Sequence, residues 1–184
     1  MEIEAVVLTG GASRRMGEDK ASLLIEGVPL AERIVSTLLA AGLPVTVLGR
    51  SPVQRAAFIE DAKDYAGPLS ALAAFAPSAE FVQVLSCDLP LFDPGIVSLL
   101  RGEIGEMDAA VPVVGGYRQP LAAMYRASAF DIVSAILESG RQSMMAWLGA
   151  LKSVEVLEDR LRADGIDPRS LTGVNTPQEL ASLG

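Results

Sequence analysis

Histidine is absent from the 184 residues, and cysteine occurs once, at Cys87. The first absence removes serine-histidine triads, imidazole acid catalysis and histidine-ligated zinc. The second removes any intrachain disulfide, so nothing points to an oxidising compartment. Cations are also scarce. Lys and Arg number 15 against 23 Asp and Glu, giving a formal charge of −8, the opposite of what a general nucleic-acid surface or an anionic-membrane surface requires. Uninterrupted apolar runs all fall short of the 18 or so residues of a membrane span, and Met1-Glu2-Ile3-Glu4 carries no basic segment of the kind that opens a signal peptide. The expected location is the cytoplasm, and the chemistry left is that of Asp, Glu, Lys, Arg, hydroxyls and hard metal ions.

Half of the residues are hydrophobic, which excludes disorder on composition, and residues 1–184 read as a single domain. Short apolar runs at residues 5–8, 45–48 and 81–85 each break into a polar or glycine-bearing segment, as buried strands do. Between them, Pro29 opens a helical pattern with Leu30, Ile34 and Leu38 on one face, ended by Gly42 and Pro44. Further helices are expected at 53–58, at 68–75 after Gly67-Pro68, and after Asp93-Pro94 to about Leu100. This alternation predicts an α/β fold around a mostly parallel sheet. The second half is less regular. Strands at 109–114 and 121–125, joined through Gly115-Gly116 and residues 117–120, predict an antiparallel element, followed by helices at 127–137 and 143–151, a strand at 154–157 and a last helix after Thr176-Pro177.

The densest chemistry lies directly after the first strand, in Leu8-Thr9-Gly10-Gly11-Ala12-Ser13-Arg14-Arg15-Met16-Gly17-Glu18-Asp19-Lys20. Glycines let backbone N–H groups close around anionic oxygens, and Arg14, Arg15 and Lys20 add the charge that dipoles lack. The spacing is neither a Walker A loop, since Glu18 follows Gly17, nor the G-x-G-x-x-G of a dinucleotide fold. Glycines and surface arginines alone would suit any strand-to-helix loop, but three cations in eleven residues of so acidic a chain favour a phosphate cradle. Asp88 is the second candidate. It stands just past the 81–85 strand, at the sheet edge where ligands gather in open α/β folds, and its hard oxygens suit Mg²⁺. A turn or helix-capping role would explain an aspartate there equally well. Cys87 reads as a small buried apolar residue, and Trp147 as part of the core rather than a stacking platform. Arg118 and Gln119, polar between two apolar strands, are candidates for holding an acceptor phosphate.

Five blocks, L-T-G-G-A-S-R-R-M-G-E-D-K at 8–20, G-P-L-S-A-L at 67–72, C-D-L-P at 87–90, R-Q-P-L-A-A-M-Y at 118–125 and N-T-P-Q-E-L at 175–180, resemble the molybdenum cofactor guanylyltransferases. The first block is shared with a wider nucleotidyltransferase group. The resemblance implies a three-layer, Rossmann-like fold of the nucleotide-diphospho-sugar transferase kind. It also implies GTP as donor, Mg²⁺ as cofactor, a molybdopterin-type phosphate acceptor, and molybdoenzyme maturation proteins as further partners. By position, Leu8, Thr9, Gly10 and Gly11 look like the nucleotide-binding segment and Lys20 like the nucleotide-contacting lysine. Asp88 is similar to the metal-binding aspartate, and Asp61 to a further nucleotide-contacting aspartate, with Asp64 near enough to compete. Some members carry an asparagine after the second strand where this chain reads Val45-Thr46-Val47-Leu48-Gly49, so no contact is transferred there.

The reaction implied is attack by an acceptor phosphate oxygen on the α-phosphorus of the nucleotide, with Lys20, Asp88 and Arg15 as the catalytic set. Arg15 and the Gly10–Gly17 amides are assigned to the outer phosphates. A phosphate nucleophile is already anionic at neutral pH, so the missing histidine is no obstacle. A cytidylyl- or sugar-phosphate nucleotidyltransferase, or a nucleotide-binding module without turnover, would share the cradle.

Overall fold

The computed structural model describes residues 2–9, 24–25, 27–60 and 67–174. Strand β1 (Ile3–Leu8) is buried along nearly its whole length, as a central parallel strand must be. A two-stranded antiparallel ribbon, β2 (Leu24–Ile25) and β3 (Val28–Pro29), turns at Gly27, whose φ of 80° lies in the left-handed region. Pro29 leads into α1 (Leu30–Ala40), which buries Leu30, Ala31, Ile34, Val35 and Leu38 in one stripe. β4 (Val45–Gly49) and β5 (Ala57–Glu60) follow, and then α2 (Pro68–Leu72), with proline in its first turn.

β6 (Phe81–Ser86) leads to α3 (Gly95–Glu103), and the chain continues through β7 (Ala109–Val114), β8 (Tyr117–Arg118) and β9 (Ala122–Arg126). After these come α4 (Val133–Glu138), α5 (Met144–Leu148), β10 (Ser153–Val156) and α6 (Glu158–Ala163). Eight strands form one sheet in the order β10-β7-β9-β6-β1-β4-β5, with β8 paired to β7. β1 pairs in parallel with β4 and β6, β4 with β5, and β7 with β10. β9 is antiparallel to both β6 and β7, which is the antiparallel element expected in the second half.

Successive residues of β1 feed opposite faces of this sheet. Ala5 and Val7 join a core with Ile34 and Leu38 of α1, Leu100 of α3 and Leu161 of α6. Val6 and Leu8 join another with Leu69 of α2, Ile136 of α4 and Trp147 of α5. Helices therefore cover both faces, giving the three-layer arrangement expected.

The helix expected at 53–58 does not form. Arg55 has φ 67°, a left-handed value that interrupts a right-handed helix, and the chain then runs as edge strand β5 beside β4. Phe58 packs on one core and Ile59 on the other, a period of two. The helix expected at 68–75 ends at Leu72, that at 143–151 ends at Leu148, and that at 127–137 begins as a tighter 3-10 turn over Ala127–Ile132. In that turn Ala129 offers its carbonyl to the Trp147 indole N–H at 3.0 Å, and Phe130 meets the Trp147 ring edge-on at 5.2 Å. Helix α6 and a 3-10 turn over Pro168–Leu171 were not anticipated. The helix expected after Thr176 lies outside the described residues.

Candidate nucleotide site at the sheet's carboxyl edge

From β1 the sheet grows one way, through β4 to β5, and then the other way from β6, so β1 and β6 flank a topological switch point. At such a point the connections leave in opposite directions and open a crevice outside the strand ends. Leu8 and Thr9, which open the first candidate, and Asp88, the second, are here. Leu8 stands opposite Ser86 in the β1-β6 register, and the Cys87 N–H donates to the Leu8 carbonyl at 3.0 Å. On the other side, the Thr9 N–H and hydroxyl both donate to the Leu48 carbonyl, at 2.9 and 3.3 Å. The Thr9 N–H and the Leu8 carbonyl are thus engaged within the sheet, which fixes where β1 ends.

Asp88 lies one residue beyond that last rung and is half-buried. The Ser86 hydroxyl donates to its Oδ1 at 2.5 Å, and the Val174 N–H donates to its backbone carbonyl at 3.0 Å. Asp88 lies in the turn that follows β6, as its turn reading required, while the carboxylate that meets the start of α3 is a neighbour's. Asp93 Oδ1 accepts the Gly95 N–H at the start of α3, at 2.8 Å. Cys87 is 5 % exposed and packs in the same apolar core as Leu85 and Leu89, as its reading as a small apolar residue required.

The hairpin carrying Arg118 and Gln119 belongs to the same edge of the sheet. β7 runs parallel to β6, so its carboxyl end faces the same way, and the chain returns there into β9, where the Leu121 carbonyl accepts the Ser86 N–H at 2.9 Å. Gly115 and Gly116, with φ of 60° and 80°, make the two-residue turn whose twist suits a hairpin. Arg118 is committed to an ion pair with Glu155 of β10 at 2.6 Å, and the Gln119 side chain donates to the Tyr117 carbonyl at 3.1 Å. Trp147 is fully buried and stacks on Tyr125 with ring centroids 4.3 Å apart, a core residue as expected.

Of the sequence candidates, Leu8, Thr9, Asp88, Arg118 and Gln119 are described and converge on one edge. Gly10, Gly11, Arg14, Arg15, Lys20, Asp61 and Asp64 lie outside the described residues. Ser86 and Gly173, both against Asp88, were not singled out from the sequence. The only local signal for Ser86 is a hydroxyl two residues before the aspartate, and Gly173 is brought in by tertiary structure. Among the described residues, no group of three or more His, Cys, Asp or Glu is placed to hold a metal ion. Asp88, a half-buried carboxylate just past a strand end, offers the hard oxygens that suit Mg²⁺ in its phosphate-bound form, which takes one or two carboxylates and completes its shell with substrate oxygens and water.

A mostly parallel sheet covered on both faces, with a carboxylate beside the first strand's exit at the switch point, defines a nucleotide-binding α/β protein of the nucleotidyltransferase kind. Within that class the chain belongs to the MobA-like NTP transferase domain family, which it matches over residues 5–155. A molybdenum cofactor guanylyltransferase of Desulfosudis oleivorans is 27% identical, with 97% of this chain and 92% of the relative covered. A probable molybdenum cofactor guanylyltransferase of Opitutus terrae is 35% identical, covering 81% and 79%. The crystal structure of the molybdopterin-guanine dinucleotide biosynthesis protein A of Archaeoglobus fulgidus superposes with a TM-score of 0.81 at 25% identity, over 97% of this chain and 95% of that one. The 2-C-methyl-D-erythritol 4-phosphate cytidylyltransferase of Thermus thermophilus, at 18% identity and a TM-score of 0.71, shares the fold, covering 99% and 96%.

Proposed function

We propose that this protein transfers GMP from GTP to a molybdopterin-type phosphate acceptor, releasing pyrophosphate and forming a molybdopterin guanine dinucleotide. The observation that carries this reading is the meeting of the β1 exit with Asp88 at the switch point, in a chain whose full-length relatives bear guanylyltransferase names. An acceptor phosphate oxygen forms the new bond to the α-phosphorus while the bond from that phosphorus to the bridging oxygen breaks, and the electron pair leaves with pyrophosphate. No proton has to be removed from an anionic nucleophile, which suits a chain without histidine.

The protein's task is then to position the reactants and neutralise charge. Asp88 would hold Mg²⁺, with its carboxylate oriented by the Ser86 hydroxyl. Bound there, the ion would withdraw charge from phosphate oxygens and stabilise the departing pyrophosphate. Lys20 offsets charge near the α-phosphate, Arg15 and the Gly10–Gly17 amides hold the outer phosphates, and Asp61 contacts the nucleotide. The hairpin at 117–121 faces the acceptor. For Arg118 to bind an acceptor phosphate, it must leave or share Glu155.

The test is pyrophosphate release by purified protein given GTP, Mg²⁺ and molybdopterin. Release should need all three, and release from GTP without any acceptor would contradict the assignment. The guanine preference rests on the relatives' names, because a phosphate cradle does not read the base.

A further inference from the structure

Gly173 belongs to none of the motifs that carry the family resemblance, yet it lies directly against the proposed metal-binding carboxylate. A Cβ built on it would fall 2.9 Å from Asp88 Oδ1, 3.0 Å from Oδ2 and 3.0 Å from Cγ. Non-bonded carbon and oxygen atoms do not come so close, so any side chain at 173 must displace the carboxylate or the backbone. Neither moves freely. The Ser86 hydroxyl holds Oδ1 at 2.5 Å, and the Val174 N–H ties the adjoining backbone to the Asp88 carbonyl at 3.0 Å. Gly173 does not have a left-handed φ, so its conformation makes no demand for glycine. What demands glycine there is Asp88.

We infer that Gly173 is a positioning residue for the Asp88 carboxylate: the absent side chain leaves room for the rotamer that Ser86 holds, so residues 173–174 set the aim of the metal ligand. This rests on the metal-binding reading of Asp88. A chain segment 85 residues downstream thereby becomes part of the site's geometry, whether or not it touches substrate. Groups that orient a metal ligand commonly change metal affinity by about 10–100-fold when altered.

The experiment compares the full-length protein with Gly173→Ala, Asp88→Ala and the double variant. It reads Mn²⁺ affinity in the presence of GTP by electron paramagnetic resonance, the Mg²⁺ concentration giving half-maximal pyrophosphate release, and the melting temperature without ligand. Gly173→Ala should weaken Mn²⁺ binding and raise the Mg²⁺ requirement by about tenfold or more. It should also lower the melting temperature when Asp88 is present and leave it unchanged in the Asp88→Ala background, where the clash is gone. If Gly173→Ala alone fails to fold, refolding of the double variant carries the same conclusion. Unchanged Mn²⁺ affinity in Gly173→Ala, with affinity lost in Asp88→Ala, would overturn the positioning role and leave the metal reading intact. Normal Mn²⁺ affinity in Asp88→Ala would overturn both.

Discussion

Two carboxylates show how differently the same group is used at one edge of the sheet. Asp88 is half-buried between the Ser86 hydroxyl and Gly173, an arrangement suited to holding a ligand's counter-charge. Glu158 lies at the surface and secures the hairpin turn. It accepts the Gly115 N–H at 2.7 Å and pairs with Arg162 at 2.5 Å. Those bonds, the backbone one first, lower its pKa from the ordinary 4.5. A depressed carboxylate stabilises the fold above its unfolded pKa and loses that contribution as pH falls through the folded value. The Gly115 amide signal followed by NMR should therefore titrate with a midpoint below 4.5, and a midpoint above it would mean the bond is not kept in solution. For Lys20, assigned from sequence, Lys20→Met should leave folding intact and lower turnover at least a hundredfold, about 3 kcal/mol, the scale of losing one electrostatic donor. Pyrophosphate release at saturating GTP measures it, and full activity would mean that the cradle is misassigned.

The elements were most legible where burial is one-sided or complete. Residues 5–8, 45–48 and 81–85 announce parallel strands because both faces of such strands are apolar, and the 30–38 stripe announces α1 because its period matches a helix. Residues 53–58 carry a helix-like pattern but lead into an edge strand of only four paired residues, after a left-handed arginine that sequence does not reveal. The 127–132 turn carries an α-helical pattern in sequence, and its tighter winding accompanies tertiary contacts to Trp147 rather than a local signal. Trp147 secures α5 to the sheet through its stack on Tyr125 and its indole bond to Ala129. Trp147→Ala should cost about 3–5 kcal/mol, checked by urea unfolding. A loss under about 1 kcal/mol, the scale of ordinary surface changes, would show that α5 is not held by this contact.

At the scale of the molecule, a chain of charge −8 with a nucleotide as its proposed substrate must concentrate cations locally, and Arg14, Arg15 and Lys20 fall within eleven residues of sequence. That stretch of sequence and Asp88 could be picked out because glycine, lysine and aspartate carry their chemistry in their own side chains or in the lack of one. Ser86 and Gly173 could not be, because serine two residues before an aspartate is commonplace and Gly173 matters only through a contact made by the fold. Sheet order explains why candidates far apart in sequence share an edge: the β1-β6 pairing brings Leu8 beside Ser86, and Asp88 follows. The cytidylyltransferase of Thermus thermophilus has the same architecture, so base choice lies in local contacts to the base and not in the fold. The most direct test is a competition in which the protein, Mg²⁺ and molybdopterin receive equal GTP and CTP and the dinucleotide product is identified by mass. A predominantly guanine dinucleotide, formed with one pyrophosphate per product, is the result predicted. A cytosine product in equal or greater amount would contradict it.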